Sequence, residues 1–275
     1  MKTAGKSTPS IAVIGAGKMG GAIVKALISS KVFPASAITG SVAPSEDMHR
    51  VAAHLGIKME RDNCALVKGR DIVILAVKPQ SAKKILQEIG AAITGDQLLI
   101  SIMAARSTGF IEEHLGKEIP VVRAMPNTPL LVGEGMTVLC RGKFATKAHL
   151  ETARAIFASV GLVETIDNEE LMDAVTALSG AGPAYAYIMI EALAEGGVYT
   201  GIPRALSTRL AAQSLLGAAK MVIQRGEHPA LLKDEVTTPA GVTIDGIMEL
   251  EDGGIRVTLI KAVDKATRKS KEISL

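Results

Sequence analysis

The sequence predicts an α/β amino-terminal domain, built on an open, doubly wound sheet, followed by an all-helical carboxy-terminal domain. Three observations carry that expectation. Short β-branched runs alternate with helical patterns from Ile11 to about Leu139, a glycine-rich turn directly follows the first run, and strand signals cease after about Asp167. A chain of 275 residues can hold two cores. The change of pattern sets the expected boundary, with residues 1–166 in the sheet domain and 167–275 in the helical one.

The strands follow in order. Residues 11–14, 37–39, 72–77, 98–102 and 121–124 are the β-branched runs, and their rhythm implies a parallel sheet with crossover helices. The run Ile72-Val73-Ile74-Leu75-Ala76-Val77 is apolar on both alternating faces, which places it mid-sheet with helices on each side. Helical spacing then takes over at 169–178, 184–198, 203–224 and 241–250, with a last helix from Gly254 towards Ser270. Small residues at Ala211, Ala212, Ser214, Gly217, Ala218 and Ala219 let helix axes approach and leave more than one apolar face to cover. A homodimer through this domain is one reading; a monomeric helical core is the other.

Composition removes several classes of partner. Net charge is +3, with Lys and Arg scattered among Asp and Glu, so no basic stripe exists for a nucleic-acid backbone. No apolar stretch approaches the roughly 18 residues of a membrane helix, and the polar residues 1–10 lack the pattern of a targeting leader. Cys64 and Cys140 stand far apart without CxxC spacing, which fits neither a disulfide framework nor a zinc site and suits a reducing cytoplasm. The histidines show no metal-ligand spacing, so no metal is expected.

Chemistry enters at Gly15-Ala16-Gly17-Lys18-Met19-Gly20, a GxGxxG placed after a strand and before the helical pattern at 22–28. The first glycine permits the turn, the second lets backbone approach a pyrophosphate, and the third lets helix pack on strand, while the helix N-terminus offers free amides to the anion. The turn predicts a Rossmann-type dinucleotide site. NAD-binding versions carry an acidic residue about twenty positions on, where this chain reads Thr39-Gly40-Ser41-Val42. A hydroxyl and a glycine leave room for a 2′-phosphate, and Ser41 can donate to it without repelling its charge, which favours NADPH. Glu46 and Asp47 lie close enough for a bent loop to bring a carboxylate to the ribose, so NADH stays open. Ala76-Val77-Lys78-Pro79 ends the central strand at the edge where open sheets bind ligands; Lys78 faces the cofactor there or is simply solvated.

Further segments give a specific resemblance. The glycine turn, Ala76–Pro79, Arg123-Ala124-Met125-Pro126-Asn127-Thr128-Pro129, the stretch from Asp173 through Ser179-Gly180-Ala181-Gly182-Pro183 to Tyr185, His228-Pro229, and residues 232–243 together resemble the pyrroline-5-carboxylate reductase family, in the family's order. The resemblance implies a Rossmann domain, a helical domain that interlocks with its twin, and dimers that assemble further into a decamer of five. It also implies a small-molecule substrate and NAD(P)H-dependent reduction to proline. By that likeness Ser41, Asn63, Ala76, Val77, Lys78, Pro79, Ala104 and Asn127 join the glycine turn as cofactor contacts. Glu169, Thr238, Gly241, Val242 and Thr243 are the implied substrate contacts. Two positions depart from the pattern. Arg106 stands where the family commonly has glycine, and Ala240 replaces the first glycine of a Pro-Gly-Gly run.

On physical grounds Thr238-Pro239-Ala240-Gly241-Val242-Thr243 reads as a helix start, with Thr238 as N-cap and Pro239 at the first helical position. Free amides there suit a carboxylate, although the same turn can be a capped helix and nothing more. A protonated cyclic imine accepts hydride without a strong enzymic acid, so Thr243 needs only to hydrogen-bond the ring nitrogen. Thr243 is therefore the catalytic candidate. Ser179–Pro183 is expected to break one helix and start another, either as a packing hinge or beside the cofactor. A β-hydroxyacid dehydrogenase would need a lysine acid/base in the helix beginning Ala184-Tyr185, which has none, and a non-catalytic NADP-binding protein would not need the turn at 238–243.

Overall fold

A computed structural model describes residues 8–274, so the expectation for residues 1–10 falls largely outside them. The first half builds as the periodicity requires: β1 (Ile11–Ile14), α1 (Lys18–Ser29), β2 (Ile38–Ser41), α2 (Met48–Leu55), β3 (Lys58–Met59), α3 (Asn63–Val67), β4 (Ile72–Leu75), α4 (Ala82–Ile89), β5 (Leu98–Ser101), α5 (Thr108–Leu115) and β6 (Val121–Pro126). β7 (Gly135–Arg141), α6 (Lys147–Ala158) and β8 (Gly161–Thr165) complete one eight-stranded sheet of order β3-β2-β1-β4-β5-β6-β7-β8. The order reverses between β1 and β4, which is the switch point where open sheets hold ligands.

The central strand explains why the sheet is doubly covered. Ile72 and Ile74 join the buried cluster on one face with Ile11, Val13 and Ile100, while Val73 and Leu75 join Ala12, Ile14 and Leu99 on the other. Each such Ile, Val or Leu side chain contributes roughly 1.5–3 kcal/mol by leaving water. The strand stops at Leu75 rather than Val77, because Ala76 to Pro79 turn away to begin the next helical segment.

Three strands lie outside the expected set, and one breaks the parallel rule. β7 runs antiparallel to β6, with Met125 opposite Val138, and β8 extends the edge parallel to β7. The link between β6 and β7 is a single turn, Thr128–Val132, too short for a crossover helix, so the chain can only reverse. β3 has two residues and β8 a mostly polar surface, which leaves little local signal.

The helical part comprises α7 (Met172–Val175), α8 (Gly182–Tyr199), α9 (Arg204–Arg225), α10 (Pro229–Glu235), α11 (Val242–Asp252) and α12 (Ile255–Ser274). A π-turn at Thr176–Gly180 separates α7 from α8, and Pro183 sits in the first turn of α8, so the expected break falls in the expected segment. By packing, the chain divides into two compact units: Ala181–Lys265 is one, and the rest, including the stretch from Ala266, is the other. In the second unit α8 and α9 meet at Ala194 and Ser207, where the Ser207 hydroxyl donates to the Ala194 carbonyl at 2.7 Å. Of the small residues on α9, Ala211 is buried while Ser214, Ala218 and Ala219 remain exposed.

Candidate active site

The glycine turn is shaped by what surrounds it. Gly15 adopts φ 91°, and a Cβ there would lie 2.8 Å from the Ala76 carbonyl oxygen. Gly20 is already helical, and a Cβ on it would lie 2.3 Å from the Gly15 oxygen. Gly17 differs: a Cβ on it would meet only the Glu46 carboxylate, at 3.6 Å. The N-cap Gly17 supplies no side-chain acceptor, so the first amides of α1, at Lys18 and Met19, point to the space above the loop. Their dipole and the open Gly17 position fit a pyrophosphate. The Gly15 and Ala16 amides bond instead to the Ser41 carbonyl at 3.1 and 2.7 Å, fastening the loop to the end of β2.

The other expected cofactor contacts gather around this loop to different degrees. Ser41 is buried at the end of β2 and donates to Asn63 Oδ1 at 2.7 Å. Asn63 Nδ2 in turn donates to Glu88 Oε1 at 3.1 Å, a partner that nothing in the sequence pattern signals. Ala76 and Val77 abut Gly15, whereas the Lys78 side chain is exposed. Ala104 is half-buried in the loop after β5. Asn127 uses both ends of its amide for scaffolding: Nδ2 donates to the Ser179 carbonyl at 3.1 Å, and Oδ1 accepts from the Met136 amide at 2.8 Å. Arg106 leaves the backbone unstrained at its own position, because the left-handed conformation falls on Ala105, at φ 58°. Its guanidinium bonds the Ala105 carbonyl at 3.2 Å and lies 5.0 Å over the Phe110 ring.

Glu169 is held by the sheet unit. Its carboxylate accepts from the Thr108 amide at 2.8 Å, from the Thr108 hydroxyl at 2.6 Å and from Arg123 Nη1 at 3.0 Å. Glu169 opens a short 3-10 turn, Glu169–Leu171, so its charge stands at a helix start, and the bond from the Thr108 amide sets the same charge against the start of α5. Arg123, interior to β6, is 4% exposed, and its Nε and Nη2 have no partner among the described residues. Both residues border a cavity of about 220 Å³ with Arg106, Ser107, Glu170 and Asp173. Burial, reinforced by the Glu169 charge, pushes the neighbouring Cys140 thiol up to about 11. Among the described residues no cluster of His, Cys, Asp or Glu could hold a metal ion.

The turn at 238–243 lies in the second compact unit and departs from expectation at its cap. α11 begins at Val242, its N-cap is Gly241, and Thr238 lies outside the helix, where its carbonyl accepts from the Gly241 amide at 3.0 Å. The cause is Ala240, whose φ of 54° breaks the helical run after Pro239. The unpartnered amides are consequently those of Val242, Thr243 and Ile244. Val242 is 90% exposed and Thr243 half-buried, so a helix start with open amides persists, three residues later than expected.

A mostly parallel open sheet with a glycine turn at its switch point, followed by a helical domain, defines a nicotinamide-dinucleotide-dependent oxidoreductase. Residues 10–105 match the family model for NADP oxidoreductase, coenzyme F420-dependent, and residues 169–273 match that for pyrroline-5-carboxylate reductase dimerisation. The pyrroline-5-carboxylate reductase of Arabidopsis thaliana is 40% identical over 264 residues, covering 96% of this chain and 95% of that protein. The Methanosarcina acetivorans enzyme of the same name is 43% identical over 263 residues, covering 96% and 97%. The crystal structure of Plasmodium falciparum pyrroline carboxylate reductase with NADP bound superposes with a TM-score of 0.88 at 33% identity, covering 98% of this chain and all of that one. The chain belongs to the pyrroline-5-carboxylate reductase family.

Proposed function

We infer that this protein reduces the C=N bond of 1-pyrroline-5-carboxylate to give proline, with NAD(P)H as hydride donor. The observation that carries the reading is kinship along the whole chain to reductases of that name, together with a glycine turn whose open Gly17 position and free helix amides fit a pyrophosphate. The reduced nicotinamide, when bound, supplies the hydride. The rest falls to the chain. Gly15, Ala16, Gly17, Lys18, Met19 and Gly20 would cradle the pyrophosphate, Ser41 and Asn63 would flank the adenosine ribose, and Ala76, Val77, Lys78, Pro79 and Ala104 would line the strand ends beside it. Asn127 supports that edge through its bonds to Ser179 and Met136.

The substrate carboxylate would meet the free amides of Val242 and Thr243, with Thr238 and Gly241 shaping the turn before them. The Thr243 hydroxyl would hydrogen-bond the ring nitrogen. An iminium carbon accepts hydride once its nitrogen is protonated, so orientation carries most of the rate. Glu169 enters this scheme by positioning Arg123 and α5 beside the cavity they border. We place the substrate-binding and dimerisation functions in residues 167–275 and the nucleotide function in 1–166, a division supported by the dimerisation match beginning at 169. A homodimer through the helices, further assembled as a decamer of five dimers, is the proposed oligomer. A reducing cytoplasm is the proposed compartment, supported by two free thiols, Cys64 and Cys140.

The test is loss of nicotinamide absorbance when purified protein meets pyrroline-5-carboxylate, with NADPH and NADH in parallel and proline quantified. Oxidation matched by proline is expected. Folded protein that binds coenzyme yet oxidises none would remove the reading. For Thr243→Ala, kcat is expected to fall at least about tenfold with coenzyme affinity unchanged; unaltered turnover would remove Thr243 from the chemistry.

A further inference from the structure

Glu88, on α4, reaches the glycine loop through two other side chains. Its Oε1 accepts from Asn63 Nδ2 at 3.1 Å, and Asn63 Oδ1 accepts from the Ser41 hydroxyl at 2.7 Å. A carboxylate can only accept, so it dictates which end of the Asn63 amide faces it. The amide nitrogen turns to Glu88 and the amide oxygen turns to Ser41. The Ser41 proton is thereby committed to Asn63, and only lone pairs remain on that hydroxyl for a ligand. Because the Ser41 carbonyl also fastens Gly15 and Ala16, the hydroxyl is fixed beside the loop that fits the dinucleotide.

We propose that Glu88 is a positioning residue for coenzyme selection: through Asn63 it holds Ser41 as a hydrogen-bond acceptor. An acceptor there matches a ribose 2′-hydroxyl, which can donate, and offers no hydrogen bond to a 2′-phosphate. The chain thus narrows any advantage of NADPH over NADH that room beside Gly40 and Ser41 would otherwise give. The Glu46 carboxylate, 3.6 Å from where a Cβ on Gly17 would stand, adds charge of the same sign at the loop. The inference rests on the reading of Ser41 and Asn63 as flanking the adenosine ribose.

Glu88→Gln tests it with almost no change of shape. A glutamine amide can donate to Asn63 Oδ1, which lets the asparagine turn over, donate to Ser41 and release the serine proton to a ligand. The probes are 5′-AMP and adenosine 2′,5′-bisphosphate, titrated calorimetrically into the full-length protein. The affinity ratio of bisphosphate to AMP is expected to rise about tenfold in Glu88→Gln, the size of one hydrogen bond to a charged group. In a Ser41→Ala background the same substitution should leave the ratio unmoved. A rise that persists without the serine hydroxyl would mean simple charge repulsion by Glu88 and would overturn the relay. An unchanged ratio in Glu88→Gln, with both nucleotides bound, overturns the relay while leaving the cofactor site intact. Failure of folded protein to bind either nucleotide overturns both.

Discussion

Arg123 occupies an interior strand position that a β-branched residue would normally hold, and one of its nitrogens meets the Glu169 carboxylate at 3.0 Å. Removing one partner of a buried pair leaves the other charge without compensation, at a cost of about 3–5 kcal/mol. Glu169 is partly open to water, so the lower end applies. Glu169→Ala is expected to lose about 3 kcal/mol in urea unfolding at fixed protein concentration, and Glu169→Gln, which keeps the bonds to Thr108, distinctly less. An unchanged midpoint with a raised KM for pyrroline-5-carboxylate would instead return Glu169 to direct substrate contact, as the family resemblance implied. The pair is 46 positions apart in sequence, and neither residue alone signals the other. The same holds for Glu88, which reads as an ordinary solvated charge on α4 until Asn63 is seen against it.

Among the elements, legibility followed the range of the interaction that fixes each one. The glycine turn, the central strand and the break at Ser179–Pro183 are set by residues adjacent in sequence, and each forms where the pattern puts it, the strand ending two residues early. β3 and β8 carry little strand signal of their own, and β7, although Thr137-Val138-Leu139 is a strand-like run, leaves the parallel rhythm because the one-turn link from β6 makes the chain reverse. The start of α11 differs from the expected one for a local reason: one alanine takes a left-handed conformation and delays the helix to Val242. That conformation costs a non-glycine residue roughly 1–2 kcal/mol, and more for a β-branched one. Ala240→Gly is therefore expected to hold or raise the thermal midpoint. Ala240→Val should lower it and raise KM for pyrroline-5-carboxylate while the coenzyme dissociation constant stays constant. Equal behaviour of the two variants would show that the turn does not depend on a left-handed residue.

For the whole molecule the decisive quantity is apolar surface that one chain does not cover. α8 is apolar around most of its circumference, yet Ala194 is its one buried residue. Ile188 on α8 is 65% exposed, Ile223 on α9 61% and Ile260 on α12 69%. Scattered exposed aliphatics are ordinary, but a helix pair with this much open apolar surface is characteristic of an interface. The dimerisation match over residues 169–273 covers these helices, which supports the proposed homodimer through them. A carboxylate introduced there must either be desolvated without a partner or keep the interface open. Ile188→Asp combined with Ile223→Asp is expected to shift sedimentation from oligomer to monomer at micromolar concentration, with coenzyme binding retained because the glycine loop belongs to the other compact unit. Persistence of the oligomer in the double variant would place its interface away from α8 and α9.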